Sequence, residues 1–324
     1  MKTQLNLPAK RGFTLIELLV AMAITTIIVT VLVSITSVAL DTFNRSRSEL
    51  RASRQAKSMI DSMARDLESL VVRSGNTSQW LSAIGGIPNA IGGKLQSTSA
   101  SKLIFFTAAT DRYDGAIGGV ADKGGDVSCV AYDFRYDDPI RAGGEFKTFV
   151  LNRLLVNPDE AFNHLLGTTD VEVADKNLAA VFDTYEGTQT SDKSLNSPKN
   201  FICENIFQFS ITFNVQVADS KTPGAMVNIP ITVGPTATDT GPNVQRFEMF
   251  GNKLRVSDSA NNYAPDVLET GRVTAVTVSA TAISDAGIEQ LRVRPSLQSD
   301  SGQRSEFLTK NTYQYSKTIQ IPTP

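Results

Sequence analysis

Few residues in this chain have side chains that could form a catalytic centre. His164 is the single histidine among 324 residues, so a Ser/His/Asp or Cys/His mechanism would have to use it. It lies in Ala161-Phe162-Asn163-His164-Leu165, directly after Asn157-Pro158-Asp159, and no nucleophile stands beside it in the sequence. A surface or helix-capping role explains this histidine better than catalysis. The sequence therefore predicts no enzyme active site.

An acidic, glycine-containing stretch offers oxygen ligands for a cation. It carries Asp111, Asp114, Asp122 and Asp126. Calcium is bound by carboxylate and carbonyl oxygens in such loops, but the spacing here does not match an EF-hand. Asp and Gly are also ordinary turn-forming residues. We expect a solvated loop and no metal site; calcium binding by these four aspartates is the alternative.

The two cysteines, Cys129 and Cys203, are too few for a disulfide framework. Each lies in a run of residues typical of a β-strand. In an oxidising compartment they could form a disulfide if the fold brings them together. Two buried free thiols are the alternative, and the sequence does not choose between the two states.

Glu17 is a carboxylate at the start of a long apolar segment, where an ionised side chain needs an oppositely charged partner. It stands near the start of an apolar run in which no ionisable residue occurs from Leu18 to Leu40. As a helix these ~23 residues would span about 34 Å, enough for a hydrocarbon core of about 30 Å. An ionised side chain in such a segment is costly unless it is paired, so it marks a functional site by default.

A cleaved signal peptide is an alternative explanation of the same run. Ser37-Val38-Ala39 would be an acceptable cleavage site before Leu40. However, the run is much longer than the roughly 7–15 apolar residues of a signal-peptide core, and it begins with Glu17. We therefore expect a helix that stays attached to the chain.

The residues Gly12-Phe13-Thr14-Leu15-Ile16-Glu17 resemble the processing motif of type IV pilins and type II secretion pseudopilins. The resemblance implies that a prepilin peptidase cuts after Gly12 on the cytoplasmic side and methylates the new N-terminal Phe13. It also implies that Glu17 pairs with the terminal amine of a neighbouring subunit during assembly. Such a pair would fix the register, because a misplaced subunit would leave both charges unpaired.

Two features depart from the usual pattern of the family. Many major pilins have a proline within the membrane helix, whereas none occurs here between Pro8 and Pro88, so we expect a straighter helix. The distribution of basic residues would by itself put the large domain in the cytoplasm, and the processing motif favours the periplasm instead. The basic residues that follow the apolar run are Arg45, Arg47, Arg51, Arg54 and Lys57.

Beyond Leu40 the apolar residues continue at helical spacing on one side only. Neither Gly nor Pro interrupts Phe13 to Arg73, and Gly75 could end the helix. One helix of ~60 residues would measure about 90 Å. Its second half is amphipathic and is expected to pack on a globular head. The predicted buried stripe consists of Ala52, Ala56, Met59, Ile60, Met63, Ala64, Leu67, Leu70 and Val71.

After Gly75 the pattern becomes that of β-strands separated by turns. Gly251-Asn252 is typical of a hairpin turn. The alternating Phe207, Phe209, Ile211 and Phe213 predict a strand that faces the helix, and Arg272–Ile283 is expected to be covered on both sides. The predicted strands are Lys102–Thr107, Val127–Tyr136, Phe146–Val156, Phe201–Val217, Arg246–Phe250, Lys253–Val256, Arg272–Ile283 and Thr312–Ile321. Long polar stretches between them are expected to be loops, at Asp111–Asp126, Thr184–Asn200, Ala218–Val244 and Ser296–Ser305.

These patterns predict an α+β chain of pilin-like design, with a long N-terminal α-helical spine packed on a large antiparallel β-rich head. We expect residues 1–12 to be a cytoplasmic leader peptide and residues 13–40 a transmembrane or filament-core helix. Residues 41–74 would form the amphipathic half of the spine, and residues 75–324 the head. The large head and the retained Glu17 are most similar to the J-type minor pseudopilin or the W-type minor pilin. Prepilin-like proteins of the Verrucomicrobia cassette type are a further alternative.

The leading hypothesis is a structural subunit of a type IV pilus or type II secretion-like filament. Its partners would be other pilin or pseudopilin subunits, the prepilin peptidase, an inner-membrane assembly platform, and the membrane itself, with the head in the periplasm. A pilus-displayed adhesin or substrate-binding module is the first alternative, and a membrane-tethered periplasmic domain is the second. No cofactor is expected. A net charge of −2 gives no basis for a nucleic-acid partner.

Overall fold

The computed structural model describes residues 14–72, 78–86, 99–108, 126–141, 144–166, 177–189, 194–219, 222, 224–234, 243–244, 246–251, 253–257, 271–294, 297 and 301–321. The chain divides into two compact units, Met1–Ser48 and Glu49–Pro324. The first unit consists, in its described part, of one helical segment.

The long helix predicted from the sequence is confirmed as α1, Leu15–Glu68, with 54 residues. It ends before the predicted Arg73 because the chain changes to strand pairing there. Leu70 forms a β-bridge with Thr107, and Val71 N donates to Phe106 O at 2.9 Å. From Ala52 to Leu67 the predicted stripe is confirmed as the buried face of the second half, with one residue that the pattern did not include. Leu70 and Val71, also predicted for the stripe, lie beyond the helix, and Val71 is half-buried. The buried residues of α1 are Ala52, Ala56, Met59, Ile60, Met63, Ala64, Asp66 and Leu67.

The second unit combines helices with two β-sheets. Besides the end of α1, the longer described helices are α2 (Leu178–Thr188), α3 (Asp285–Val293) and α4 (Ser301–Asn311). Short helical turns occur at Pro158–Glu160, Ala161–Leu165 and Pro198–Asn200. The strands are β1 (Gln79–Gly86), β2 (Ser99–Thr107), β3 (Ser128–Asp137), β4 (Thr148–Val156), β5 (Phe201–Glu204), β6 (Ile206–Ala218), β7 (Met226–Val233), β8 (Asn243–Val244), β9 (Arg246–Phe250), β10 (Lys253–Ser257), β11 (Arg272–Ile283) and β12 (Thr312–Gln320).

The strands form one seven-stranded sheet, in the order β10-β9-β1-β2-β3-β4-β5, and one five-stranded sheet, in the order β12-β11-β6-β7-β8. The pairing is antiparallel except between β7 and β8, which are parallel. The predicted hairpin at Gly251 is confirmed, because Phe250 of β9 pairs with Lys253 of β10. Gly251 has φ 50°, the left-handed conformation that such a two-residue turn requires.

The two faces of the seven-stranded sheet pack differently. Tyr132 and Phe134 lie two residues apart on β3 and therefore face the same side. Tyr132 contacts Asp66 of α1, whereas the Phe134 ring lies 6.2 Å from Phe209 of β6. One face thus packs on both the spine and the second sheet. The opposite face packs on α2, where Lys102 Nζ lies 2.5 Å from an Asp183 carboxylate oxygen.

Strand β6 alternates as predicted from Phe209 onward, with Phe209, Ile211 and Phe213 buried, whereas the predicted inward residue Phe207 is half-buried. The rings of Phe209 and Phe213 contact the other sheet: the Phe209 ring lies near Phe134 of β3, and Phe213 stacks on Phe247 of β9 with ring centroids 4.0 Å apart. The predicted single strand Phe201–Val217 is interrupted at Asn205, which has φ 60°. Strand β11 was expected to be covered on both sides, but it alternates between buried and half-buried residues along most of its length.

Candidate functional site at the N-terminus

Thr14 and Glu17 form a reciprocal cap on the first turn of α1. Thr14 donates from its backbone N and from Oγ1 to Glu17 Oε2, each at 2.9 Å. Glu17 N donates back to Thr14 Oγ1 at 3.3 Å. This arrangement is a capping box, and the spacing Thr-x-x-Glu is its sequence signature. Glu17 was predicted as a site residue from the sequence, whereas its partner Thr14 was not.

The cap engages only one of the two oxygens of the Glu17 carboxylate. Among the described residues, none donates a hydrogen bond to Oε1. The oxygen therefore has free acceptor capacity toward a cationic donor from outside the described part of the chain. Every residue from Thr14 to Arg47 is exposed, so the surroundings of this carboxylate are an open apolar helix surface.

The apolar half of α1 contains hydroxyl groups that bond to their own helix. In each case the side chain donates to the backbone oxygen four residues earlier, at 2.8 or 2.9 Å. The donors are Thr25, Thr26, Thr30, Ser34, Thr36 and Thr42. The helix is long and apolar enough to cross a membrane, with a mean hydropathy of 2.7 over its most apolar window.

The other predicted N-terminal site residues, Gly12 and Phe13, lie outside the described residues, as do the calcium candidates Asp111, Asp114 and Asp122. The fourth candidate, Asp126, is exposed. Within the part of the chain that the structure describes, no group of three or more His, Cys, Asp or Glu side chains could hold a metal ion.

A buried ionic cluster, which the sequence pattern did not predict, joins the second half of α1 to the β-sheet of the head. Arg153 of β4 donates from Nε and Nη2 to the two carboxylate oxygens of Asp66, each at 2.7 Å. The hydroxyl of Tyr132 also donates to Asp66. All three side chains are buried. Burial, together with the adjacent Asp66 carboxylate, holds the pKa of Tyr132 well above its usual value. Tyr132 therefore remains a neutral donor.

Both cysteines are buried free thiols. Cys129 of β3 pairs in register with Val156 of β4, whereas Cys203 of β5 pairs with Leu151 of β4. The two are therefore two strands apart and offset by five residues along β4, roughly 19 Å by strand geometry. That separation excludes a disulfide between them in this fold, since bridged Cα atoms lie within about 7 Å of each other.

His164 is exposed on the short helical turn Ala161–Leu165, where a short helix was predicted. Its ring lies 5.7 Å from that of Tyr185.

A groove of about 490 Å³ lies on the head. Arg51 forms one side, with Nη2 at 2.9 Å from Glu204 and Nη1 at 3.1 Å from Asp285. The facing loop is held by Asp138, whose carboxylate accepts hydrogen bonds from the backbone N of Ile140, Arg141 and Phe146. These bonds lower the pKa of Asp138. The loop presents two exposed apolar side chains, Ile140 (81% exposed) and Phe146 (76%).

Comparison with known proteins identifies a family motif in the N-terminal segment. Residues 7–33 match the family model of the prokaryotic N-terminal methylation motif. No curated protein and no solved structure matches the chain. The match contains Gly12, Phe13 and the capping box, and the apolar helix continues beyond it. The motif indicates a membrane-anchored structural subunit and implies interaction with a prepilin peptidase and with other pilin subunits. The N-terminal segment thus carries a prokaryotic N-terminal methylation motif, which supports a type IV prepilin-like protein.

Proposed function

We propose that the chain is a minor subunit of a type IV pilus or a type II secretion-like filament. In this proposal it is processed after Gly12, methylated on Phe13 and assembled through its N-terminal helix. The large β-rich head, nearest to that of the J-type pseudopilin or W-type minor pilin, faces the periplasm before assembly. An inner-membrane platform then moves the subunit from the membrane into the filament.

The observation that carries the proposal is the half-engaged Glu17 carboxylate at the start of an exposed apolar helix. Thr14 binds Oε2, and no described residue binds Oε1. A carboxylate in an apolar environment is costly without an opposite charge. The amine created by cleavage before Phe13 on a neighbouring subunit would supply that charge, and misaligned subunits would leave both groups unpaired.

The first test is the intact mass and N-terminal residue of the protein purified from its native membrane. A chain that begins with methylated Phe13 is expected. A chain that begins at Met1 would contradict processing and leave a tethered domain, and one that begins at Leu40 would contradict the filament function altogether.

The second test separates assembly from processing. We expect Glu17→Ala to insert and to be cleaved normally but to be lost from the sheared filament fraction. Glu68→Ala removes an exposed carboxylate at the other end of the same helix and is the matched control, which should assemble normally. Normal incorporation of Glu17→Ala would contradict the assembly mechanism.

A second candidate function is a binding module carried by the filament. It is favoured by the three backbone N–H groups, of Ile140, Arg141 and Phe146, that donate to Asp138 while the side chains of Ile140 and Phe146 are exposed. Apolar side chains that are held exposed beside a groove are typical of binding surfaces. Ile140→Ser/Phe146→Ser should assemble normally but lose attachment or secretion. Retention of both would contradict this function.

A further inference from the structure

The exposed apolar side chains of the second unit fall into two groups. Among its described residues, the large apolar side chains that are exposed are Leu50, Ile140, Phe146, Phe162, Met226, Val227 and Val293. Four of these seven are directly followed in the chain by an exposed arginine or lysine. The four pairs are Leu50-Arg51, Ile140-Arg141, Phe146-Lys147 and Val293-Arg294. The other three residues have no basic neighbour in the chain.

The paired residues lie together at one end of the head. Arg51, Ile140 and Phe146 line the same groove. Arg292 also lines it and donates to the backbone O of Lys147, which brings the end of α3 to the loop between β3 and β4. Val293 and Arg294 follow Arg292 directly. The four apolar and basic pairs are together called the anchor end of the head.

The anchor end lies on the side of the head that leads to the apolar run. Arg153 of β4 binds Asp66 of α1, and Thr148 at the start of β4 lines the groove together with Arg51. The β3–β4 hairpin therefore runs beside α1 in the direction from Asp66 to Arg51. Arg51 stands eleven residues after Leu40 in the same helix, which corresponds to about 16 Å of helical rise.

A phospholipid surface suits such pairs of residues. Apolar side chains next to lysine and arginine are typical of segments that lie in the membrane interface, where the apolar part enters the acyl boundary and the cation meets the headgroups. The headgroup layer adds about 5–8 Å to each side of the hydrocarbon core, and transmembrane helices tilt by about 20° on average. The projecting loop and a tilt of α1 can therefore cover the remaining distance between Arg51 and the bilayer.

The carboxylates near the groove are largely engaged within the protein. Asp138 accepts three backbone hydrogen bonds, and Arg51 binds both Glu204 and Asp285. The loop also exposes Glu145, which opposes the binding of anionic lipid. Apolar insertion and phosphate binding are therefore both needed for docking. The exposed basic side chains that can bind phosphate are Arg141, Lys147 and Arg294.

We propose that the anchor end docks on the phospholipid bilayer that holds α1, before the subunit enters a filament. Its apolar side chains enter the interfacial layer, and its basic side chains bind the phosphate groups of the lipids. The inference rests on the membrane-anchored stage of the proposed function and names lipid as the partner of the groove loop at that stage. Docking holds the head beside the membrane until the subunit is extracted.

Fluorescence quenching tests the docking in the full-length chain, reconstituted into vesicles of phosphatidylethanolamine and phosphatidylglycerol. Phe146→Cys carries an environment-sensitive fluorophore, and the native cysteines are buried and do not compete. Phe162→Cys is the matched control, because Phe162 is also exposed but follows the opposite end of β4. Nitroxide-labelled lipid should quench the label at position 146 several-fold more strongly than the label at position 162, and aqueous iodide should show the reverse order. Equal quenching at the two positions would overturn the proposal.

Charge variants test the role of the phosphate groups. In the labelled chain, Arg141→Gln/Lys147→Gln/Arg294→Gln should reduce the quenching by lipid at position 146 nearly to that at position 162, with unchanged near-UV circular dichroism. Each basic residue near an anionic surface favours the docked state by roughly fivefold. Vesicles of phosphatidylcholine alone, or high salt, should weaken the quenching of the parent chain in the same way. Full quenching by lipid in the triple variant would overturn the proposal.

Two comparisons separate this inference from the functions proposed above. Docking should persist in a Glu17→Ala background, and a chain that assembles normally without docking would contradict this inference alone. If the label at position 146 is shielded from iodide in native membranes but not in protein-free vesicles, the loop binds a protein. That result would overturn lipid docking and favour the binding-module function.

Discussion

Asp66 of α1 and Arg153 of β4 form two parallel hydrogen bonds of 2.7 Å inside the core, 87 residues apart in the sequence. The geometry is the bidentate one that makes an Arg–carboxylate pair strong and directional. With the Tyr132 hydroxyl as a third donor, every oxygen of the buried carboxylate has a partner. This contact sets the position of the amphipathic half of α1 on the head.

Removing one member of this cluster should destabilise the head strongly. Arg153→Met leaves the Asp66 carboxylate buried without its counter-charge, and we expect a loss of about 3–5 kcal/mol in the free energy of unfolding. The measurement is urea denaturation of the detergent-solubilised chain, followed by near-UV circular dichroism. The apolar triple variant Asp66→Leu/Tyr132→Phe/Arg153→Met should recover most of the loss. A small effect of Arg153→Met alone would show that the pair is not buried in solution.

Asp133 should make the stability of the head depend on pH. Burial raises the pKa of its carboxyl above the usual 3.8, against the opposing influence of Arg135 and Lys102. The folded state therefore holds this proton more tightly than the unfolded state, and the contribution of Asp133 to stability falls as the pH rises from 3.8 through the raised pKa. The Asp133→Asn variant has no carboxyl group at this position, so its stability does not decrease with pH for this reason. Its stability relative to the parent should increase over that pH interval and then stay constant.

The control for this measurement is Asp138→Asn. The pKa of Asp138 is lowered by its backbone hydrogen bonds, so its contribution is present above its usual pKa and is lost as the pH falls through the lowered value. The two variants should therefore show pH dependences of opposite sign. Parallel curves would contradict the assigned environments.

Gly251 should tolerate asparagine better than valine. Its φ of 50° is accessible to glycine and asparagine but is strained for a β-branched residue. Its carbonyl also accepts a hydrogen bond of 2.9 Å from Trp80 Nε1, so the turn is tied to β1. We expect Gly251→Val to lower the thermal unfolding temperature and Gly251→Asn to change it much less. Equal effects of the two substitutions would indicate that the backbone conformation at this position is not the left-handed one.

Neither cysteine should react in the folded protein. Burial raises the pKa of Cys129 far above its usual value and that of Cys203 to about 12, so the thiolate that reacts with alkylating reagents is scarce. Mass spectrometry after iodoacetamide treatment should show no modification of the native chain and two modifications in urea without any reductant. A requirement for reductant in urea would reveal a disulfide and contradict the separation of the two strands.

The spine could be predicted from the sequence because its signals are local. Apolar spacing identified the buried face from Ala52 to Leu67, and Gly251-Asn252 identified the β9–β10 hairpin. Asp66 was missed because a polar residue beside an apolar stripe has no local sign of burial. Its partner Arg153 is brought to it only by the tertiary fold.

Other errors have equally specific causes. Strand β7 was missed within a stretch predicted to be a loop, since its first half is exposed and it contains Pro230. Helix α3 was also missed, although Ser284 caps it by accepting from Gly287 N at 3.1 Å, a signal present in the sequence. The predicted strand Phe201–Val217 is broken at Asn205, where the Asn205 carbonyl accepts a hydrogen bond from Ile283 N at 2.7 Å. Asparagine tolerates the left-handed conformation, so Asn205 is compatible with the break, but an asparagine in a strand pattern does not by itself predict one.

Six hydroxyl groups along the apolar half of α1 need no hydrogen-bond acceptor from the surrounding medium. Each of Thr25, Thr26, Thr30, Ser34, Thr36 and Thr42 carries its hydrogen-bond partner within its own helix. No polar bond of these side chains has to be broken or remade when lipid around the helix is exchanged for packed protein. In the proposed assembly, these six hydroxyl groups would therefore add little cost to the transfer of the helix from lipid to packed protein, whereas the Glu17 carboxylate would need a cationic partner at its destination.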